Sequence, residues 1–95
     1  MYKNIKGSDL KGLIGKVSII DIRKNYLYNM GNIPSSKNIP SAFLLMNPEK
    51  YLDKDNIYYI YCSSGLESPK VCSELSSKGY DVVNVLGGYN DYINN

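Results

Sequence analysis

Three stretches of the chain run apolar without the gaps of a half-solvated strand. Val17-Ser18-Ile19-Ile20-Asp21-Ile22, Ile57–Tyr61 and Val82-Val83-Asn84-Val85-Leu86 are rich in β-branched residues and tyrosine. Such runs predict strands buried on both faces. Two shorter candidates are Lys3-Asn4-Ile5 and Lys37-Asn38-Ile39, the second stopped by Pro40. Between them the pattern turns helical. Ser8 reads as an N-cap, with Leu10, Leu13 and Ile14 on one face and Gly15 as the stop. Residues 24–30 predict a short turn of helix ending at Gly31, and 41–52 a helix divided at Pro48. Ser68 reads as an N-cap followed by Pro69, with Val71, Cys72 and Leu75 as the inner stripe up to Gly79. A last short helix is expected over 89–93. Strands alternating with helices call for an α/β fold, a mostly parallel sheet with helices on both faces.

Composition narrows this picture. Ninety-five residues with a 43% hydrophobic share are expected to form a single domain over 1–95 with one modest core. Eleven basic and nine acidic residues are spread along the chain and leave a net charge of +2. No basic block points to nucleic acid, and no apolar run is long enough to span a membrane. The N-terminus lacks the apolar stretch of a signal peptide, so a cytoplasmic location is expected, with the two cysteines as free thiols.

The absence of histidine changes the picture most. It removes Ser-His-Asp and Cys-His catalysis and the commonest metal ligand. Two cysteines fall short of the four ligands of a structural zinc site, and no phosphate-loop or dinucleotide fingerprint is present. Neither metal nor cofactor is expected.

Candidate chemistry then concentrates at Cys62, which closes the strand 57–61 a few residues before the helix at Ser68. Ligands of open α/β sheets bind at the carboxyl ends of strands. The loop Ser63-Ser64-Gly65-Leu66-Glu67 is small enough to curl around the sulfur. Its N–H groups and the first free amides of the helix are expected to point inward as an anion nest. Such a nest favours an anionic sulfur without an imidazole. The plain alternative is a buried strand-end cysteine with no chemistry. For Cys72, on the inner helical stripe, the plain reading is the one adopted, and the two cysteines lack the C-x-x-C spacing of a dithiol site.

These residues resemble the single-domain rhodanese-like sulfurtransferases over nearly the whole chain. Ile20-Asp21-Ile22-Arg23 is similar to the family's Asp-x-Arg strand end. Gly31-Asn32-Ile33-Pro34 and Asn38-Ile39-Pro40 resemble its Gly-His-Ile-Pro segment and the Asn-Ile-Pro that follows. Tyr61-Cys62-Ser63-Ser64-Gly65 with Ser68 resembles the active-site loop, and Leu86-Gly87-Gly88-Tyr89 with Tyr92 the closing Gly-Gly and its aromatic.

The resemblance implies a five-stranded sheet and transfer of sulfane sulfur through a persulfide on Cys62. The donor would be thiosulfate or a persulfide, small or protein-borne, and the acceptor cyanide or another thiol. Ser63, Ser64, Gly65, Leu66, Glu67 and Ser68 would hold the persulfide. Arg23, the only arginine, is read first as an ion-pair partner near Asp21 and second as positive charge beside the pocket. Three positions depart from the family pattern: Asn32 for histidine, Tyr92 for tryptophan, and Glu67 where many members carry arginine. The first two are read as structural. Glu67 predicts a poor thiosulfate donor site, because arginine there draws in anions and a carboxylate repels them.

Three other readings compete. A dual-specificity phosphatase of related fold needs arginine after the loop to clamp phosphate, and Ser68 stands there. A non-catalytic interaction module usually lacks the cysteine, which this chain keeps. A redox-sensing thiol is the third.

Overall fold

The computed structural model describes all residues, Met1–Asn95. Five strands, β1 (Lys3–Lys6), β2 (Ser18–Asp21), β3 (Ser36–Asn38), β4 (Ile57–Tyr61) and β5 (Asp81–Leu86), form one sheet. Its order is β1-β5-β4-β2-β3 and every pairing is parallel. Six helices connect them: α1 (Gly7–Leu10), extended by a 3-10 turn over Lys11–Leu13, α2 (Asn25–Met30), α3 (Ser41–Met46), α4 (Pro48–Tyr51), α5 (Ser68–Ser77) and α6 (Gly88–Asn94).

The unbroken apolar runs have a direct cause. Side chains alternate across a strand, and here both faces are covered. Ile20, Ile60 and Val82 point into one cluster with Leu44 of α3, Leu52, and Val71, Cys72 and Leu75 of α5. Ile19, Tyr61 and Val85 point into a second cluster with Leu10 of α1, packed against Tyr89 and Tyr92 of α6. Pro48 divides the third helical segment as expected, by opening α4 at its first residue.

Two capping expectations fail. Ser8 lies inside α1, behind Lys6 at the N-cap, and its N–H is bonded by the Asp91 carboxylate of α6 at 2.9 Å. Ser68 is the first helical residue of α5, with Glu67 at the N-cap. Its hydroxyl donates instead to Asn84 Oδ1 of β5 at 2.6 Å, so a tertiary acceptor has replaced the local capping bond. No helix is long and apolar enough to cross a membrane.

Candidate active site

The strand order fixes where a site can form. From β2 the chain moves outward to β3, then crosses back so that β4 lies on the other side of β2. The carboxyl ends of β2 and β4 therefore flank the topological switch point, where open α/β sheets leave a crevice. A cavity of about 420 Å³ opens there. One wall is Ile22, Arg23 and Lys24 after β2, and the other is the loop that begins at Cys62.

Cys62 is a buried free thiol, 4% exposed, at the boundary between cavity and core. The Ser68 N–H donates to its Sγ at 3.3 Å. That amide belongs to the first turn of α5, where the helix leaves donors without partners and favours negative charge. Ser68 is held in turn by its hydroxyl bond to the buried Asn84, which accepts that bond and donates to Asn4 Oδ1 at 3.0 Å.

The rest of the loop is oriented from behind by α6. Tyr89 N–H donates to the Cys62 carbonyl at 2.8 Å and Asn90 N–H to the Ser63 carbonyl at 3.0 Å. In a planar trans peptide the N–H lies opposite the C=O. Holding those carbonyls on α6 turns the Ser63 and Ser64 N–H groups away from it. The approach demands glycine. A Cβ on Gly88 (φ 55°) would collide with the Cys62 carbonyl oxygen, and one on Gly65 (φ 88°) would sit 2.7 Å from Gly87 N.

Of the residues expected around the sulfur, Ser63, Ser64, Leu66, Glu67 and Arg23 line the cavity with Cys62. Gly65 and Ser68 lie behind them, the first packed on Gly87 and the second buried beneath the helix start. The nest is narrower than expected: Ser68 N–H is the backbone donor bonded to Sγ itself.

Arg23 takes the first role assigned to it, the ion pair with Asp21, and it lines the cavity as part of that pair. Its Nε and Nη2 chelate the Asp21 carboxylate, with Nη2 at 2.8 Å, and Nη2 also donates to the Gly31 carbonyl at 2.6 Å. The guanidinium lies 4.4 Å from the centre of the Tyr89 ring and 5.6 Å from that of Tyr61. Burial works against its charge, and the bonded Asp21 carboxylate overcomes that, holding Arg23 above its ordinary value. Tyr61 donates to Asp21 Oδ2 at 2.5 Å; burial and then this bond push its phenol up. Asn32 bonds the Tyr28 carbonyl and Tyr92 stacks on Tyr89, as packing residues do.

Cys72 is fully buried on α5 in the same hydrophobic cluster as Cys62. Burial, and secondarily the neighbouring Cys62, push its thiol up to about 12. Sequence reasoning missed the far wall, which includes Lys24, Tyr26, Leu27, Pro40 and Ala42. No local pattern marks these residues; the strand order alone brings them opposite Cys62.

A parallel sheet with a cysteine-led loop at its switch point, locked by a Gly-Gly turn, is the arrangement of a rhodanese-like domain. The chain belongs to that family: residues 7–95 match the rhodanese-like domain. It is similar to the Bacillus subtilis protein named "Putative sulfurtransferase YtwF", with 39% identity over 72 residues, 74% of this chain and 67% of the relative. It is also similar to the tRNA sulfurtransferase of Thermoplasma acidophilum, with 41% identity over 71 residues. That match spans 74% of this chain but 14% of the much longer relative. Among solved structures, a rhodanese-related protein from Thermoplasma volcanium superposes with a TM-score of 0.87 at 31% identity, covering 98% of this chain and 92% of that one. The protein is thus a member of a sulfurtransferase family.

Proposed function

We propose that the protein transfers sulfane sulfur through a persulfide on Cys62. One observation carries the reading: the sole cysteine facing a cavity lies at the switch point with a helix amide bonded to its sulfur. In the first half-reaction the Cys62 thiolate attacks the outer sulfur of the donor. A Cys62 S–S bond forms, and the donor's own bond to that sulfur breaks with its electron pair leaving on the donor. Thiosulfate releases sulfite and a persulfide releases a thiolate. In the second half-reaction a thiol or cyanide acceptor attacks the outer sulfur, and Cys62 leaves as thiolate. Neither step takes a proton from carbon or oxygen, so no imidazole base is needed. Ser68 N–H, with the turned-out amides of Ser63 and Ser64, steadies the anionic sulfurs. The donor is a small sulfane compound or a persulfide-carrying protein, the acceptor a thiol, and the setting cytoplasmic.

Intact mass after incubation with thiosulfate and, separately, with a small persulfide tests this. The expected result is one added sulfur atom on Cys62, removed by cyanide as thiocyanate. A protein that stays unmodified with both donors is an interaction module. One that gains oxygen with peroxide, but never sulfur, is a redox-sensing thiol.

A further inference from the structure

The charges around the cavity are of two kinds. Arg23 is already neutralised by Asp21 and covered by Tyr89, as a buried cation requires. Lys24 and Glu67 are the remaining charged residues that line the cavity. Both are exposed, and neither belongs to the molecule's two ion pairs, Arg23–Asp21 and Lys78–Glu74. Lys70, in the first turn of α5, forms no ion pair with Glu67 either. The free charges of the cavity sum to zero, and they are unequally placed. Glu67 directly precedes the residue whose N–H holds the sulfur, whereas Lys24 stands on the wall that follows β2. Much of the remaining lining is apolar, and Tyr26 and Leu66 are 61% and 79% exposed at it.

We infer that Glu67 is a specificity-determining residue that selects sulfur donors of low charge over dianions, with Lys24 acting in the opposite sense. The inference rests on the sulfur-transfer reading above. A thiosulfate dianion entering this cavity meets the unpaired Glu67, which lines it together with the reacting sulfur, and the one arginine is already paired with Asp21. A donor with one charge or none, such as a thiosulfonate or an aminothiol persulfide, escapes most of that repulsion and gains from the apolar wall. Unit charges roughly 6–8 Å apart, at an effective dielectric of about 40–80, change a rate by about two- to tenfold per unit of donor charge.

The test is a charge series with cyanide as the common acceptor: thiosulfate, benzenethiosulfonate and cysteamine persulfide, which release sulfite, sulfinate and thiolate. kcat/KM is measured at low and high salt for the native protein, Glu67→Gln, Glu67→Arg and Lys24→Gln. Glu67→Gln should gain most on thiosulfate, less on the thiosulfonate and least on the persulfide. Glu67→Arg should steepen that order, and Lys24→Gln should lose on the same donors in the same order. Added salt should flatten all three trends. Equal gains for every donor, or none on thiosulfate, overturn the inference while the transfer reading stands. Failure of every donor to leave sulfur on Cys62 in intact mass overturns the transfer reading and this inference with it.

Discussion

Cys62 and Cys72 are both buried, both free, and both part of one hydrophobic cluster. They differ in what the sulfur faces. Cys72 sits in mid-helix on the stripe it shares with Val71 and Leu75 and is fully enclosed, so its thiol is pushed up to about 12. Cys62 stands at a strand end, with a cavity on one side and a helix N–H on the other. Burial alone therefore does not separate an inert cysteine from a candidate nucleophile. The separation comes from strand order and helix polarity, which put an opening and a donor at one sulfur and leave the other enclosed in the core cluster.

The sharpest way to break this contrast is to exchange each sulfur for oxygen. Cys62→Ser is expected to reduce thiocyanate formation to background with the fold unchanged by circular dichroism. Cys72→Ser should keep transfer and lose about 1–3 kcal/mol of stability in chemical denaturation, through a hydroxyl on an apolar stripe. Iodoacetamide should label Cys62 alone in the native protein. Loss of transfer in a folded Cys72→Ser protein would replace the single-cysteine scheme with a two-thiol relay.

A smaller effect tests whether the loop's backbone, rather than the sulfur alone, makes the difference. Gly88→Ala places a Cβ against the Cys62 carbonyl in a left-handed backbone conformation. It should lower kcat/KM by roughly tenfold or more and cost about 1–3 kcal/mol, because Tyr89 N–H can no longer hold that carbonyl. Gly12→Ala is the control, since a Cβ there meets nothing within 4 Å. Equal activity in both variants would mean that α6 does not orient the loop.

The last contrast is a pH dependence that belongs to Cys72. Its thiol ionises near 9.0 ordinarily and near 12 in the fold. Below the lower value both states are protonated and the stability is fully present. Above it the unfolded chain loses the proton first, so stability declines as pH rises toward 12, by up to about 1.4 kcal/mol per pH unit. Tyr61, also raised, adds to the decline above 10.0. Denaturation midpoints between pH 8 and 11 should fall more gently in Cys72→Ala than in the native protein, and parallel slopes would refute the assignment.

Much of this was written locally in the chain. Apolar runs covered on both faces, glycines at helix ends and a proline that opens α4 are decided by neighbours in sequence, so the five strands and most helices were legible. The Arg23–Asp21 pair was legible too, because the partners are two residues apart and flank a strand end. Cys62 stood out because a chain without histidine leaves few other nucleophilic schemes. Ser68 misled for a physical reason: its hydroxyl found a better acceptor in Asn84 than the local cap offers. Only the tertiary structure decided that Lys24 and Glu67 share a cavity, that α6 turns the loop amides, and that Arg23 is covered by Tyr89. Those contacts join segments distant in sequence, and they exist because β4 crosses β2 to pair on its far side. A sequence records each segment's own preferences, whereas a crevice at a switch point belongs to two segments at once and to neither alone.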